Sequence, residues 1–562
     1  MALVMDSFVS LVNGMNESLH PTLIPATTYA RGVNTDIRNG KIRTRPALVK
    51  EDVDLGTGTF QGAGLWSLES GDRLVCVISG RVLSIKVDTM AKTDLGVVLD
   101  TTAQCFFCQV DKYMVIQDGT TTPVIIEDVA GTATIYAGAQ SIPVGTIMTY
   151  AWGRLHVVAN SPGKMYFTSG NVTLPSSPAS GLLFTESEYW AAGGAHGLPA
   201  EMGHIGGLVA LRNAATGTGL GGLYAIGRNG VSAFDVSISR GDWVDQNISQ
   251  VAFFGPGTRS PWSVLALNND VLYRGLDGLR TVTYSVSFAR GQTLATAPIS
   301  HEVRSWFDYE STSYLPYVSS AAVDNRLLMT VSGTNDRYFR GLVSLDTLPM
   351  YNMSGAAPMA YNGVWTGLEF GQVLTALQDG TPTAFVFSSH PNLYRIDDTV
   401  RADNSTEDIE SRFITRAFSF TDNLNTKQIR FLDLWFSQVY RDTEVKVYVR
   451  PSGYDKWTLM GTRDLTAPTD GSAGVYRRVR FSLEQYYGTC NTLTGEALYT
   501  GTEFQFAIQW TGYLQIDKGL CVADVISEAP PDTCTVPTVS AESGASSGVD
   551  LSDWSYELEE GT

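Results

Sequence analysis

Between about residues 60 and 400 a single pattern recurs. A short apolar strand leads to a tight turn, a second strand follows, and often a third. "LWSLESGDRLVCVISGRVLSIKV" (65–87), "CFFCQVDKYMVIQDGTTTPVIIED" (105–128) and "SVLALNNDVLYRGLDGLRTVTYS" (263–285) are examples, and seven such units can be counted. Their starts lie roughly 40 to 57 residues apart, the length of a four-stranded propeller blade with variable loops. The pattern therefore predicts an all-β chain with a β-propeller over 60–400. Six blades are preferred and seven are possible, since one unit could be split or close the ring. Abundant glycine (55 residues) and sparse charge suit many tight turns.

After the polar stretch "DDTVRADNSTEDIESR" (397–412) the texture changes. "KQIRFLDLWFSQVY" and "TEFQFAIQWTG" are longer alternating strands, and they predict an antiparallel β-sandwich over 401–528. Residues 1–59 read as an N-terminal arm with a basic hairpin. Residues 529–562 read as an acidic extension with seven carboxylates and no Lys or Arg, a composition expected to be disordered alone. Within it Trp554, Tyr556 and Leu558 alternate with polar residues, which suggests a strand added to a neighbouring subunit.

The hairpin lies in "VNTDIRNGKIRTRPAL" (33–48). Asn39-Gly40 is a favoured pair for a two-residue type I′ turn. Pairing outward sets Arg38 opposite Lys41, Ile37 opposite Ile42, Asp36 opposite Arg43 and Asn34 opposite Arg45. One face, with Thr35, Ile37, Ile42 and Thr44, can be buried. The other gathers Arg38, Lys41, Arg43 and Arg45 against Asp36 alone. That face reads either as solvated or as a docking surface for an acidic partner, with Arg38, Arg43 and Arg45 as inter-subunit contacts.

Charge narrows the function classes. Fifty-seven acidic against 39 basic residues give a net charge of -18. Such a chain is ill suited to wrapping nucleic acid, which needs Lys and Arg at the phosphates, but it suits a channel through which DNA slides without sticking. No run of about 18 apolar residues predicts a membrane span, and the N-terminus lacks the basic start of a signal peptide. The six cysteines are scattered. Cys105 and Cys108, three apart on a strand, would face opposite sides and read as buried thiols, consistent with assembly in a reducing cytoplasm.

Motifs for chemistry are weak. "GTGLGG" (216–221) satisfies GxGxxG, but a strand rather than a helix follows, so it reads as a hairpin loop. The six histidines form no metal-binding spacing; His196 and His204 stand eight apart in a Gly-rich loop. Glu186 and Glu188 would share one face of a strand. Glycosidases set two carboxylates astride a sugar bond, which this pair does not do. No catalytic, cofactor-binding or metal-binding residue is expected.

The segment "HPTLIPATTYARGVNTDIRNGKIRTRPALV" resembles the N-terminal region of phage tail nozzle proteins of the tail tubular protein B kind, the β-propeller subunits of short-tailed phages. "KMYFTSGNVTLP" (164–175) and "GGLYAIGRNGVSAFDV" resemble further family segments. So does "GPGTRSPWSVLALNNDVLYRGLDGLRTV" (255–282), with Ser260, Pro261, Ser263, Tyr273, Gly275, Asp277 and Gly278. The resemblance covers about residues 20–530. It implies a virion tail protein assembled in the host cytoplasm. It also implies a homohexameric ring below the tail adaptor, enclosing the channel for ejection of double-stranded DNA. The alternative is a propeller at the tail tip that binds a receptor or glycan on the host surface.

Overall fold

The computed structural model describes most of the chain. Outside the described residues lie 1–2, 137–141, 160–165, 174–182, 185–193, 212–221, 286–296, 309–312, 348–358, 453–456, 483–499 and 527–562, with short gaps at 244, 247, 268–269, 284, 335–336 and 422–423. The chain divides into two compact units. One comprises Lys50–Leu342 and Gly367–Ile396; the other comprises Met1–Val49, Val343–Thr366 and Asp397–Thr562.

The first unit is built from antiparallel groups in chain order. Four strands from Phe60–Trp66 to Lys92–Val97 form the first group, and four from Phe106–Val110 to Thr132–Ile135 the second. The third starts at Gly145–Ala151, the fourth at Ile205–Ala210 and the fifth at Leu265–Leu267. Ser320–Val323 with Arg326–Gly333 begins a sixth group, and Phe370–Gln378 with Thr381–Ser388 and Leu393–Asp397 forms a seventh. Two-residue turns join many of these strands. At Ser79-Gly80 and Asp379-Gly380 both residues take positive φ, as a type I′ turn requires.

Strands such as Arg73–Ile78 are buried along their whole length, because each group is covered on both faces by its neighbours. Trp66, Val75 and Val77 pack with Met114 and Ile116 of the second group. Tyr113 and Val115 pack with Leu155 and Val157 of the third. Val158 and Phe167 meet Ala225 and Phe234, and Ile226 and Val231 meet Val271 and Tyr273. Hydrogen bonds carry the series on. The Ser320 hydroxyl donates to Ser263 O (2.8 Å), and the Thr375 hydroxyl donates to Ala322 O (2.8 Å).

The series then closes on itself. Phe387 stacks on Phe60 at 5.0 Å between ring centroids. The buried Gln372 side chain donates to Ala63 O (3.0 Å) and accepts from Ala63 N–H (2.7 Å). Glu51 N–H donates to Leu393 O (2.9 Å), and Arg395 pairs with Glu51 at 3.1 Å. A closed cycle of radially packed antiparallel sheets is a β-propeller. Among the described residues seven first strands follow one another around the cycle. A single bridge, Phe339 opposite Phe370, joins the sixth and seventh groups into one sheet, so six separate sheets are counted.

The second unit is a sandwich. Its first sheet runs in the order Thr35–Arg38, Lys41–Thr44, Gln515–Val525, Lys427–Val439, Gly474–Ser482, and Leu3–Phe8 also pairs with Gln515–Val525. Its second runs from Thr458–Leu465 through Thr443–Pro451, Phe504–Thr511, Glu410–Ile414 and Arg31–Val33 to Ala360–Trp365. Phe8 meets Phe413 edge-on across the gap (5.6 Å), and Trp510 Nε1 donates to the Thr44 hydroxyl (2.9 Å). The sequence expectation of a separate arm over 1–59 and a sandwich confined to 401–528 therefore differs from the structure. Residues 1–49 and 343–366 supply sandwich strands. Alternation reveals which face of a strand is buried, but not which distant strand lies beside it.

In the third propeller group His156 is fully buried, with its ring 5.8 Å from Phe167. Burial pushes its pKa down to about 3, with Arg154 and His196 adding to the effect. An unfolded histidine titrates near 6.5. The folded state thus binds fewer protons between these values. Its full contribution is present above about pH 6.5 and is lost as pH falls toward 3. We expect His156→Met to flatten the acid limb of propeller stability over this window, read as the urea midpoint against pH for parent and variant. Parallel curves would refute this assignment.

Candidate functional site: the charged hairpin

The hairpin forms in the register that its sequence specifies. Arg38 lies opposite Lys41, Ile37 opposite Ile42 and Asp36 opposite Arg43, while Arg45 N–H donates to Asn34 O (3.0 Å). Asn39 and Gly40 both have positive φ (53° and 75°), which gives the type I′ turn. Thr35, Ile37, Ile42 and Thr44 are buried on one face.

The opposite face differs from its expectation, because it is neither solvated nor short of negative charge. Arg38 pairs with Asp346 at 3.0 Å and Lys41 with Asp517 at 2.8 Å. Arg43 bridges Asp36 (2.8 Å) and Asp398 (3.0 Å). Arg45, 1 % exposed, grips Asp403 with both terminal nitrogens (2.9 and 2.6 Å). It also donates through Nε to Asn34 Oδ1 (2.9 Å) and through Nη2 to Thr366 O (2.8 Å). Asp403 in turn accepts from Leu48 N–H (2.8 Å). Asp36 is fully buried and also receives the Asn362 amide (3.2 Å). The bidentate arginine geometry is the strong form of this contact.

Local electrostatics follow from these pairs. Burial by itself would lower the Arg43 pKa, but Asp36 and Asp398 outweigh it and hold the guanidinium protonated beyond the ordinary arginine range. Burial pushes Asp517 up, while hydrogen bonds from Lys41, Gln515 and Ser437 bring it below the usual carboxylate value. Burial raises Tyr513 above the usual tyrosine value despite nearby Arg43 and Arg401; the Arg401 guanidinium lies 4.5 Å from its ring. These groups form ion pairs and ring contacts with one another. What the cluster does is tie three separated stretches of chain into one unit.

Sequence reading missed Asp346, Asp398, Asp403 and Asp517. Two of them sit in "DDTVRADNSTEDIESR", which composition marks only as a polar linker. The inference of an outside acidic partner rested on unopposed charge, and that premise does not hold for Arg38, Arg43 and Arg45. Trp554, Tyr556, "GTGLGG", Glu186 and Glu188 lie outside the described residues. His196 is buried and His204 is exposed. Among the described residues no three His, Cys, Asp or Glu side chains gather at metal-binding distance. Cys105 and Cys108 lie in cores on opposite sides of their sheet, as the spacing predicts, and burial pushes the Cys108 thiol up to about 12.

No family model and no curated protein matches the chain. Several solved structures align with it at low identity. The extracellular domain of a proposed one-component system from B. thetaiotaomicron aligns with 77% of this chain at 10% identity and a TM-score of 0.39. The chain spans about half the length of that structure (47%). The β-propeller domain of Cps50 (Swd1) from Myceliophteria thermophila aligns with 63% of this chain and 99% of its own, at 9% identity and a TM-score of 0.37. U3-55K gives 8% identity, 63% and 98% coverage, and a TM-score of 0.37.

Removing one partner of a buried ion pair leaves the other charge uncompensated, at a cost of about 3–5 kcal/mol. We therefore expect Arg45→Met to lower sandwich stability by that order in denaturant unfolding. Lys41, 44% exposed, should cost less than about 1 kcal/mol on change to Met. Equal effects of the two substitutions would contradict the clamp.

Proposed function

We propose that this chain is a structural subunit of a phage tail, a nozzle-ring protein through whose channel the genome is ejected. The observation that carries the reading is the role of the hairpin. The segment with the clearest resemblance to nozzle proteins is the one whose ion pairs hold a non-contiguous β unit together. Charge used for architecture rather than chemistry fits a scaffold. A propeller joined in one chain to a sandwich also fits a part built from rigid β units. The net charge of -18 fits a conduit that must not retain DNA, since acidic walls offer phosphates no counterion-release gain. On this reading the protein is not an enzyme and works as a homohexamer, in contact with the adaptor and other tail proteins.

Imaging of the purified particle tests the proposal. We expect the chain as a sixfold ring on the tail axis with a lumen lined mainly by Asp and Glu. A location at the tail tip, together with retention on host glycans by the isolated chain, would favour the receptor-binding alternative. A channel lined mainly by Lys and Arg would refute the conduit argument.

A further inference from the structure

The outer face of the first sandwich sheet is not an ordinary polar surface. Three registers fix its rows. Met5 lies opposite Val522, which lies opposite Phe431; Ser7, Leu520, Asp433 and Arg480 form the next row; Trp435 lies opposite Lys518. The inner side of these strands carries Phe8, Leu432 and Leu434, so these rows point away from the core. Leu3 and Met5 are 55% and 63% exposed on the outermost strand, where apolar side chains in water are a liability.

The same face is cationic. Arg478 and Arg480 both reach the fully buried carboxylate of Asp433 (2.9 and 2.8 Å), yet they remain 59% and 43% exposed. Arg480 also lies over the Phe431 ring at 3.5 Å. Lys518 lies over the Trp435 ring at 4.5 Å and is exposed, as is Arg477. Among the described residues no carboxylate pairs with Lys518 or Arg477. Among the described residues, the exposed apolar side chains of Leu3 and Met5 thus share this face with a surplus of positive charge, in a strongly acidic protein.

One segment of this chain has the matching chemistry. Residues 550–560, "DLSDWSYELEE", hold five carboxylates and no Lys or Arg. In extended form Trp554, Tyr556 and Leu558 fall on one side. The route also fits. The described chain ends at Ile526, whose N–H donates to Thr426 O (2.9 Å), and Asp524 just before it lies opposite Leu3. Residues 527–549 form the connection, and a chain of that length can reach at most about 75–80 Å. The face from the Asp524 row to the Lys518 row measures about 20 Å at the strand rise. Tethering gives the segment an effective concentration of order millimolar, which favours the same chain over a second copy.

We propose that residues 550–560 dock on the outer face of their own sandwich. Trp554, Tyr556 and Leu558 cover the strip around Met5 and Phe431, and the flanking carboxylates meet Lys518, Arg477 and Arg478. The acidic extension then caps a sticky sheet face in cis. This inference is independent of the nozzle reading.

The test uses the dilute full-length chain and two readouts. Zero-length carbodiimide coupling should join Lys518 to Asp553, Glu557 or Glu559 within the monomer band, identified by peptide mass. Peroxide should oxidise Met5 slowly, since methionine oxidation follows exposure, and about threefold or more faster in a Trp554→Ser, Tyr556→Ser variant. That variant touches none of the described packing, so it separates docking from folding. Absence of the cross-link, or equal Met5 oxidation in parent and variant, overturns the proposal. A cross-link confined to dimer bands and rising with protein concentration also overturns it, in favour of a second copy.

Discussion

Two buried opposite charges, each matched by its own partners, fix the hairpin's place in the sandwich. Asp36 stands on the first hairpin strand, and Arg45 just past the end of the second. Each is fully or almost fully removed from water. Neither could be there alone, because an unpaired buried charge costs several kcal/mol. Asp36 is matched by Arg43 and Asn362, and Arg45 by Asp403, Asn34 and Thr366. Arg43 and Asn34 are local, while Asn362 and Thr366 come from one distant stretch and Asp403 from another. Electrostatics here act as an address: the hairpin is stable in its place only when the right distant segments are present. Apolar strands alone, being interchangeable, would leave that choice weakly specified.

The propeller follows a different logic. Its sheets are held by apolar faces shared between neighbours, such as Trp66 against the second sheet and Phe167 against the fourth. Closure falls to a few polar contacts, with Gln372 reading both backbone groups of Ala63. Each sheet needs only its neighbours, and the last needs the first.

This contrast explains what could be read from the sequence. The propeller pattern was legible because its pairings are local, and turns such as Ser79-Gly80 announce them. The hairpin was legible down to its register for the same reason. The sandwich boundaries were not, because Leu3–Phe8 pairs with a strand that begins at Gln515. The partners of the basic face were hidden on similar grounds. Composition shows that four cations cluster, but not that Asp346, Asp398, Asp403 and Asp517 fold onto them. The exposed strip at Leu3 and Met5 was invisible too, since an isolated apolar strand gives no sign of which face stays open.

The interleaved construction of the sandwich has a consequence for synthesis on the ribosome. The hairpin Thr35–Arg38 and Lys41–Thr44 emerges early, yet Lys41–Thr44 hydrogen-bonds to Gln515–Val525, some of the last described residues to be made. At roughly 5–20 residues per second the interval is of order half a minute to a minute and a half. Until residues 346–403 are made, the basic hairpin stands without Asp346, Asp398 and Asp403, and Asp517 comes last of all. Charge keeps that waiting segment soluble where an apolar one would aggregate. The ion pairs that finish the fold therefore also make the delay survivable.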